Sequence, residues 1–496
     1  MVKVRIVKTV SGASAVQVVH YYNNKRRIIK HVGSAHTDAD LKELLIYAEE
    51  WIKDYTGQLS LFGDNNPNSV LYLNKCSFLG VYYSFFYEQI SYLHNLFGYT
   101  NLVDSLLQDL VIIRILEPAS KLRSIELISQ YFGKQVVRQR YYKFAPLWLE
   151  IKKEVQAKTI EFAKSHYNFD YSIVFYDVTT LYFESFSEDE LKKNGFSKDG
   201  KSQQPQILVA LMVTKEGFPV AYEIYSGNTF EGHTLIPSIL AFIKDNKIEI
   251  MTVVADAAMI SSDNIIDLRD NKISYIVGAR LGNLSKKIID QIETSLLRED
   301  GKTIRIETEN GYLICSYSSK RHRKDEFEMK KQIARAEMTI SNPSKMKKVK
   351  FVSSSNNEIA LNEKLIEKTK RLLGIKGYFT DLKSTDLNDQ EVIERYHQLY
   401  KVEHAFRISK HDLETRPIFH SKEEPIKLHI LICFMALAIS KHIELQTGAS
   451  INKFITEAKK VADARLHNQI TNKEILIRAE ITSTMRELIE KLGSPH

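Results

Sequence analysis

Hydrophobic and polar positions alternate with a period of two at the start of the chain. VKVRIV, AVQVVHYY and KRRIIKHVG read as strands, separated by a Ser-Gly turn and by Asn23-Asn24. A helix is expected from about Asp38 to Asp54. From residue 66 to about 165 the spacing becomes helical. VDSLLQDLVIIRILEP stops before Pro118, and Ser120 is placed to cap SKLRSIELISQYFG, which ends at Gly133. Two short helices with interspersed Lys and Arg fit a DNA-binding unit, and a plain helical packing module equally well. The first two regions are therefore an N-terminal β-rich region, 1–60, and a helical, DNA-binding region, 61–165.

After residue 171 the texture changes. YSIVFYDVTTLYF, QILVALMVT and FPVAYEIY are β-branched and aromatic runs closed by breaks such as Lys215-Glu216-Gly217, and they predict three strands. HTLIPSILAFIKDN predicts a helix despite Pro237. MTVVADA is nearly all apolar, as a strand buried on both faces requires. SSDNIIDLRDN predicts a helix and SYIVGAR a strand. The order β-β-β-α-β-α-β, hairpins first and then a crossover helix to a parallel strand, is that of an α/β ribonuclease H-like core.

Residues 284–374 interrupt this core and read as a β-rich basic insertion, with strands at KTIRIET and YLICSYS. Its basic stretch holds Lys320, Arg321, Arg323, Lys324, Lys330, Lys331, Arg335, Lys345, Lys347, Lys348 and Lys350. A solvated helix face and a DNA-backbone surface are equal readings of it. IKGYFTDL resumes the core, and one long helix is expected from about Asp389 to Lys410. The core is thus split into 166–283 and 375–445, and a helical C-terminal tail, 446–496, follows.

A chain of 496 residues is long enough for two to four domains. Its formal net charge of +8 favours a polyanionic partner, though only weakly. The three cysteines, Cys76, Cys315 and Cys433, stand far apart, which excludes a zinc ribbon and a disulfide framework and fits a reducing compartment. MVKVRIVKTV lacks the apolar core of a signal peptide. The apolar run Ile430 to Ile439, bounded by His429 and Lys441, is about half the ~20 residues a membrane span needs. A buried helix, no membrane and a soluble, cytoplasmic protein are expected.

Two carboxylates stand where carboxylates are costly. Asp177 lies inside an apolar strand between Tyr176 and Val178, and Asp256 ends another after Val254 and Ala255. An ionised carboxylate there costs several kcal/mol unless paired or bound to a cation. One such Asp alone is better read as a loop cap. Two, on the first and fourth strands of the expected order, point to a divalent metal between them. A third carboxylate is expected from the long helix. Tyr396, Leu399, Glu403 and Lys410 share a face at ~100° per residue, which would turn Glu403 to the sheet from a mostly buried stripe. The ordinary alternative is a surface Glu403–Arg407 pair at i, i+4.

With these residues in view, the chain resembles DDE transposases of bacterial insertion sequences, specifically insertion-sequence family four and its longer relatives. That family carries Tyr-x2-Arg-x3-Glu-x6-Lys around its catalytic Glu; here Tyr396, Leu399, Glu403 and Lys410 stand at those places. Leu399 departs from the Arg, and Arg395 or Arg407 is placed to supply the missing charge. YDVTTLYFES, GFPVAYEIYSGNTFEGHTL, VVADAAMIS and FRISKHDLETRPIFH carry the rest of the likeness, over roughly residues 100 to 445. The resemblance implies a metal site of Asp177, Asp256 and Glu403 that holds Mg²⁺, with Mn²⁺ as substitute. It implies DNA contacts at Tyr396, Arg407 and Lys410. It also implies cleavage at terminal inverted repeats of double-stranded DNA, joining of the 3′-OH to target DNA, and a homodimer in the DNA complex. A ribonuclease H-fold nuclease or resolvase would share the acidic triad without joining, and a silent transposase-derived DNA-binding protein would do neither.

Overall fold

Alternation at the N-terminus forms three antiparallel strands, β1 (Val2–Lys8), β2 (Ser14–Tyr22) and β3 (Lys25–Ala35). Helix α1 (Asp38–Thr56) closes one face, where Val16, Val18 and Val32 pack with Leu44, Tyr47 and Ala48. The structure is a computed structural model that describes residues 2–22, 25–56, 73–196, 200, 203–259, 261–341, 349–355, 358–469 and 472–495. Lys345, Lys347 and Lys348 of the basic stretch lie outside them.

The region expected to be all helical opens instead with a strand, β4 (Cys76–Tyr82). Helices α2 (Ser84–Leu96), α3 (Ser105–Leu116), α4 (Lys121–Phe132), α5 (Arg138–Glu150) and α6 (Lys152–Tyr167) follow. Helix α3 stops before Pro118 as expected, and α4 is capped by the Ser120 hydroxyl and closed by Gly133 at φ +67°.

The core strands are β5 (Ile173–Tyr182), β6 (Gln206–Val213), β7 (Pro219–Ser226), β8 (Thr252–Ala255) and β9 (Ser274–Ala279), with α7 (Gly232–Asn246) and α8 (Ser262–Asp270) between the last three. Then come α9 (Lys286–Ser295), β10 (Thr303–Thr308), β11 (Gly311–Tyr317), α10 (Ser319–Ser341), β12 (Val352–Ser355), β13 (Glu358–Leu361), α11 (Glu363–Arg371) and β14 (Ile375–Thr380). One eight-stranded sheet has the order β10-β11-β14-β9-β8-β5-β6-β7. Strands β5, β8 and β9 run parallel, and the other neighbours are antiparallel. The five core strands thus take the predicted order of hairpins and crossovers.

Two expectations about the interruption are corrected. Its strands β10 and β11 are not a separate β-rich body; they extend the core sheet through β14. What remains is mostly helix, α9, α10 and α11, with the small β12–β13 hairpin. A six-residue strand carries no local sign of which sheet it joins, because the pairing is made across distant sequence.

The single long helix is also corrected. It is α12 (Asp389–His397) and α13 (Tyr400–Arg407), followed by a π-helical turn, Ile408–Asp412. At the joint the Leu399 N–H bonds the Tyr396 carbonyl at 3.0 Å and the Val402 N–H bonds that of Leu399 at 3.0 Å. These i→i+3 bonds overwind the helix and shift the phase of everything after Tyr396. Helix α12 packs on β8, β9, β10 and β14, whereas α13 packs on β5 and β6.

Helix α14 (Glu423–Thr447) is long and apolar enough to cross a membrane, yet its apolar stretch is nearly all buried inside the protein. It lies against α3, α5, α6 and β7. The tail expected to be helical holds α15 (Ile451–Lys460), then strands β15 (Asp463–Asn468) and β16 (Lys473–Arg478), then α16 (Ser483–Leu492). These strands form a sheet in the order β16-β15-β4. A lone hairpin is marginal, and β4, its stabilising third strand, is far away in sequence, so no local window shows it.

The chain divides into two compact units. One comprises residues 1–90, 126–135 and 453–496; the other comprises 91–125 and 136–452.

The second unit buries histidines in neutral form. Burial pushes His94 and His442 down to about 4, and His420 and His429 down to about 3. A depressed histidine binds fewer protons folded than unfolded, so stability falls as pH drops from about 6.5 towards those values, by up to about 1.4 kcal/mol per pH unit and group. The melting temperature is therefore expected to fall steadily between pH 7 and pH 4.5, and His429→Gln should flatten the slope. A melt that does not move over that range contradicts this account.

Candidate functional site

The site lies where the parallel β5–β8 pairing ends. Pairing of Tyr176 with Ala255 ends the β5–β8 ladder, so Asp177 and Asp256 are the next residues on two adjacent strands, which run ~4.8 Å apart. Both are half-buried. Their neighbours Phe175, Tyr176, Val178, Val254 and Ala255 are buried, which fixes both backbones. Oδ1 of Asp177 accepts its neighbour Val178's N–H at 2.8 Å.

Tyr396 of α12 reaches across the sheet and donates its hydroxyl to Oδ1 of Asp256 at 3.0 Å. Its ring stacks edge-on against Tyr378 at 4.9 Å. Gly278 on β9 makes room for it, because a Cβ there would stand 2.5 Å from the Tyr396 oxygen. Burial, and then the Asp256 charge, raise the Tyr396 phenol, so it remains a donor.

Glu403 is on α13, above β5 and β6. It was expected within a buried stripe, but it is exposed; Val402, Ala405 and Phe406 face the sheet instead. The overwound joint at Leu399, itself buried, causes the difference. Glu403 still acts electrostatically on Tyr396 and on Lys376. Arg407 is exposed one turn later and lies on the side of His404 and Lys441, adding its charge to the burial that lowers both. Lys410 is half-buried in the π-helical turn.

Sequence reasoning missed Lys376 on β14. Its ammonium stands 4.6 Å over the Tyr396 ring and 5.4 Å over that of Tyr378. Burial and the Arg321 charge lower it, while Asp256 and Glu403 pull it back up. Lys376 therefore stands within reach of both acidic charges. No motif marks it, because it belongs to a strand whose place in the sheet is set at long range.

Asp256, Tyr396 and Lys376 open into a groove of about 670 Å³. Arg321, Lys350 and Lys368 line it too. Along α10, Lys320, Arg323, Lys324, Lys330, Lys331 and Arg335 are exposed, and Glu326 pairs with Lys330 at 2.7 Å.

Among the described residues, no three His, Cys, Asp or Glu side chains stand close enough to enclose a metal ion as they are. The donor chemistry nevertheless suits a hard divalent cation. Asp177 and Asp256 offer carboxylate oxygens side by side, and Tyr396 takes Oδ1 of Asp256 and leaves Oδ2. The acidic charges already draw on the cation of Lys376.

The profile of the family described as "Transposase DDE domain" matches residues 168–439, more than half of the chain. No curated protein matches it. A similar solved structure is the cryo-EM structure of a piggyBac transposase synaptic complex with hairpin DNA. It has 9% sequence identity and a TM-score of 0.40, and the match covers 76% of this chain and 77% of that one.

Proposed function

This chain belongs to the transposase DDE-domain family and is a DNA transposase, and from that premise we propose that it is the transposase of a bacterial insertion sequence related to family four, with Asp177, Asp256 and Glu403 as its acidic triad. The observation that carries this reading is the placement of Asp177 and Asp256 next to each other just past the last pair of the β5–β8 ladder, with α12, the helix before that of Glu403, tied to Asp256 through Tyr396. The strand order β7-β6-β5-β8-β9 supports a ribonuclease H-like core, with α9 to α11 as an insertion into it.

Asp177, Asp256 and Glu403 would hold two divalent ions, Mg²⁺ by preference with Mn²⁺ as substitute. Bound there, such ions supply Lewis-acid stabilisation of phosphoryl oxygens and an activated attacking oxygen. The chain's own residues do the rest. Tyr396 fixes the orientation of the Asp256 carboxylate. Lys376 sets a positive charge beside the phosphate to be attacked. Arg321, Lys350 and Lys368 are placed to contact backbone phosphates along the groove, and Arg407 and Lys410 to hold the duplex beyond Glu403. Water attacks phosphorus at the element's end, the P–O3′ bond breaks, and the 3′-OH is released. That 3′-OH then attacks a target phosphate and displaces a second 3′ oxygen. The partners are terminal inverted repeats and target DNA, engaged by a homodimer.

The test is incubation of the purified chain with linear DNA bearing the ends that flank its gene, a target plasmid, and Mg²⁺ or Mn²⁺. Cleaved ends and joined products are expected from the intact protein and not from Asp177→Asn. Cleavage without joining would replace this reading with that of a nuclease, and activity in Asp177→Asn would remove that residue from the site.

A further inference from the structure

The N-terminal sheet is the most one-sidedly charged part of the chain. Residues 1–37 contain seven Lys and Arg and no Asp or Glu. Helix α10 also carries seven, but four acids are interleaved with them. The sheet region therefore has the larger net positive charge.

That charge is displayed in an ordered way. Val2, Val4, Val16 and Val18 turn towards α1, so strand alternation places Lys3, Arg5 and Gln17 on the opposite face; Ala15 and Val19 of that face are buried and Arg5 and Gln17 half-buried, so its exposed charge lies at Lys3 and towards the hairpin end. Arg5 pairs with Gln17, which pairs with His31, and these three make one cross-strand row. Lys30 is the exception: it is held on the α1 side, 5.6 Å and 5.2 Å over the rings of Tyr47 and Trp51.

Beyond this sheet the β2–β3 hairpin continues alone. Among the described residues the pairing of β1 ends at His20, whereas β2 and β3 run on through Tyr21 with Arg26 and Tyr22 with Lys25. Lys25, Arg26 and Arg27 are exposed, and so are Tyr21 (44%) and Tyr22 (70%). A two-stranded ribbon fits the ≈12 Å width of the DNA major groove. Lys and Arg on such a ribbon reach phosphates and guanine edges, and tyrosine hydroxyls hydrogen-bond phosphate.

We propose that the exposed β2–β3 ribbon, lying in the major groove, is a duplex-DNA binding element of this protein. The proposal rests on DNA being the substrate and adds which element grips it.

The test uses the full chain and its triple variant Lys25→Ser, Arg26→Ser, Arg27→Ser. Binding to a fluorescent duplex of the gene-flanking ends is measured by anisotropy across salt concentrations, with thermal melts as the folding control. The variant is expected to melt as the intact protein does, because all three side chains are exposed. Its Kd should rise at least about 30-fold at physiological salt, and the slope of log Kd against log salt should fall by about 2–3, near 0.9 per lost phosphate contact. Unchanged Kd and slope in the triple variant, while the intact chain binds, would overturn the proposal alone. Equal losses for single-stranded and duplex DNA would overturn the groove assignment. Failure of the intact chain to bind duplex DNA would remove the DNA reading itself.

Discussion

Replacing Glu403 by Gln is expected to lower single-turnover end cleavage by about 10³-fold or more, about 4 kcal/mol of transition-state stabilisation, while duplex binding changes less than about threefold. The split follows from where the side chain sits. Glu403 is exposed on α13, whose hold on the sheet comes from Val402, Ala405 and Phe406. The substitution is isosteric and leaves that packing alone. What it removes is one negative charge facing Lys376 and Tyr396. Cleavage kinetics in Mg²⁺, beside anisotropy on the same duplex, measure the two effects separately. A variant that still cuts within tenfold of the intact protein would strike Glu403 from the triad. Loss of binding in step with cleavage would make it a DNA contact instead.

Arg305→Ala is expected to destabilise the protein by about 2–4 kcal/mol and to slow cleavage although Arg305 touches no reacting atom. Arg305 projects from β10, and its Nε holds Asp389 at 2.7 Å. Its two terminal nitrogens hold the carbonyls of Leu382 and Leu387 at 2.9 and 2.8 Å. Asp389 is the first residue of α12, and Asn388 and Glu391 close a capping box around it. The start of the helix that carries Tyr396, and after it Glu403, is therefore pinned to the sheet. Alanine would leave the two carbonyls without that donor and the Asp389 carboxylate with the Thr303 hydroxyl, at 3.3 Å, in place of the guanidinium. Arg305→Lys should recover part of the stability, because an ammonium can meet Asp389 but not all three acceptors in one fork. Denaturant midpoints and cleavage rates of both variants test this; an alanine variant that melts like the intact protein would show that the clamp holds nothing.

The order of the five core strands was legible because each is an apolar run closed by turn residues, and the last three are joined by helices of ordinary length. Asp177 and Asp256 stood out because an acid in such a run is expensive. Three features were hidden for one common physical reason. The joining of β10 and β11 to the core sheet, the pairing of β4 with β15, and the position of Lys376 beside Tyr396 are all set by contacts between distant segments. The exposure of Glu403 was missed for a different reason. Extrapolating 100° per residue through Leu399 assumes an unbroken α-helix, and the i→i+3 bonds there break the phase. Gly278 was unreadable as well, since only the arrival of the Tyr396 ring gives its missing side chain a purpose.

The sheet β16-β15-β4 also carries a timetable. Between Tyr82 and Asp463 lie 380 residues, and the ribosome makes β4 long before its partners. At about 5–20 residues per second, that interval is on the order of 20–75 s. During it the Cys76–Tyr82 segment has exited without its neighbouring strand, while the eight-stranded sheet can already close. Chains broken off anywhere before Asp463 therefore keep every strand of the catalytic sheet if they pass Thr380, yet leave β4 as an unpaired edge, the kind of surface that quality-control chaperones and proteases engage.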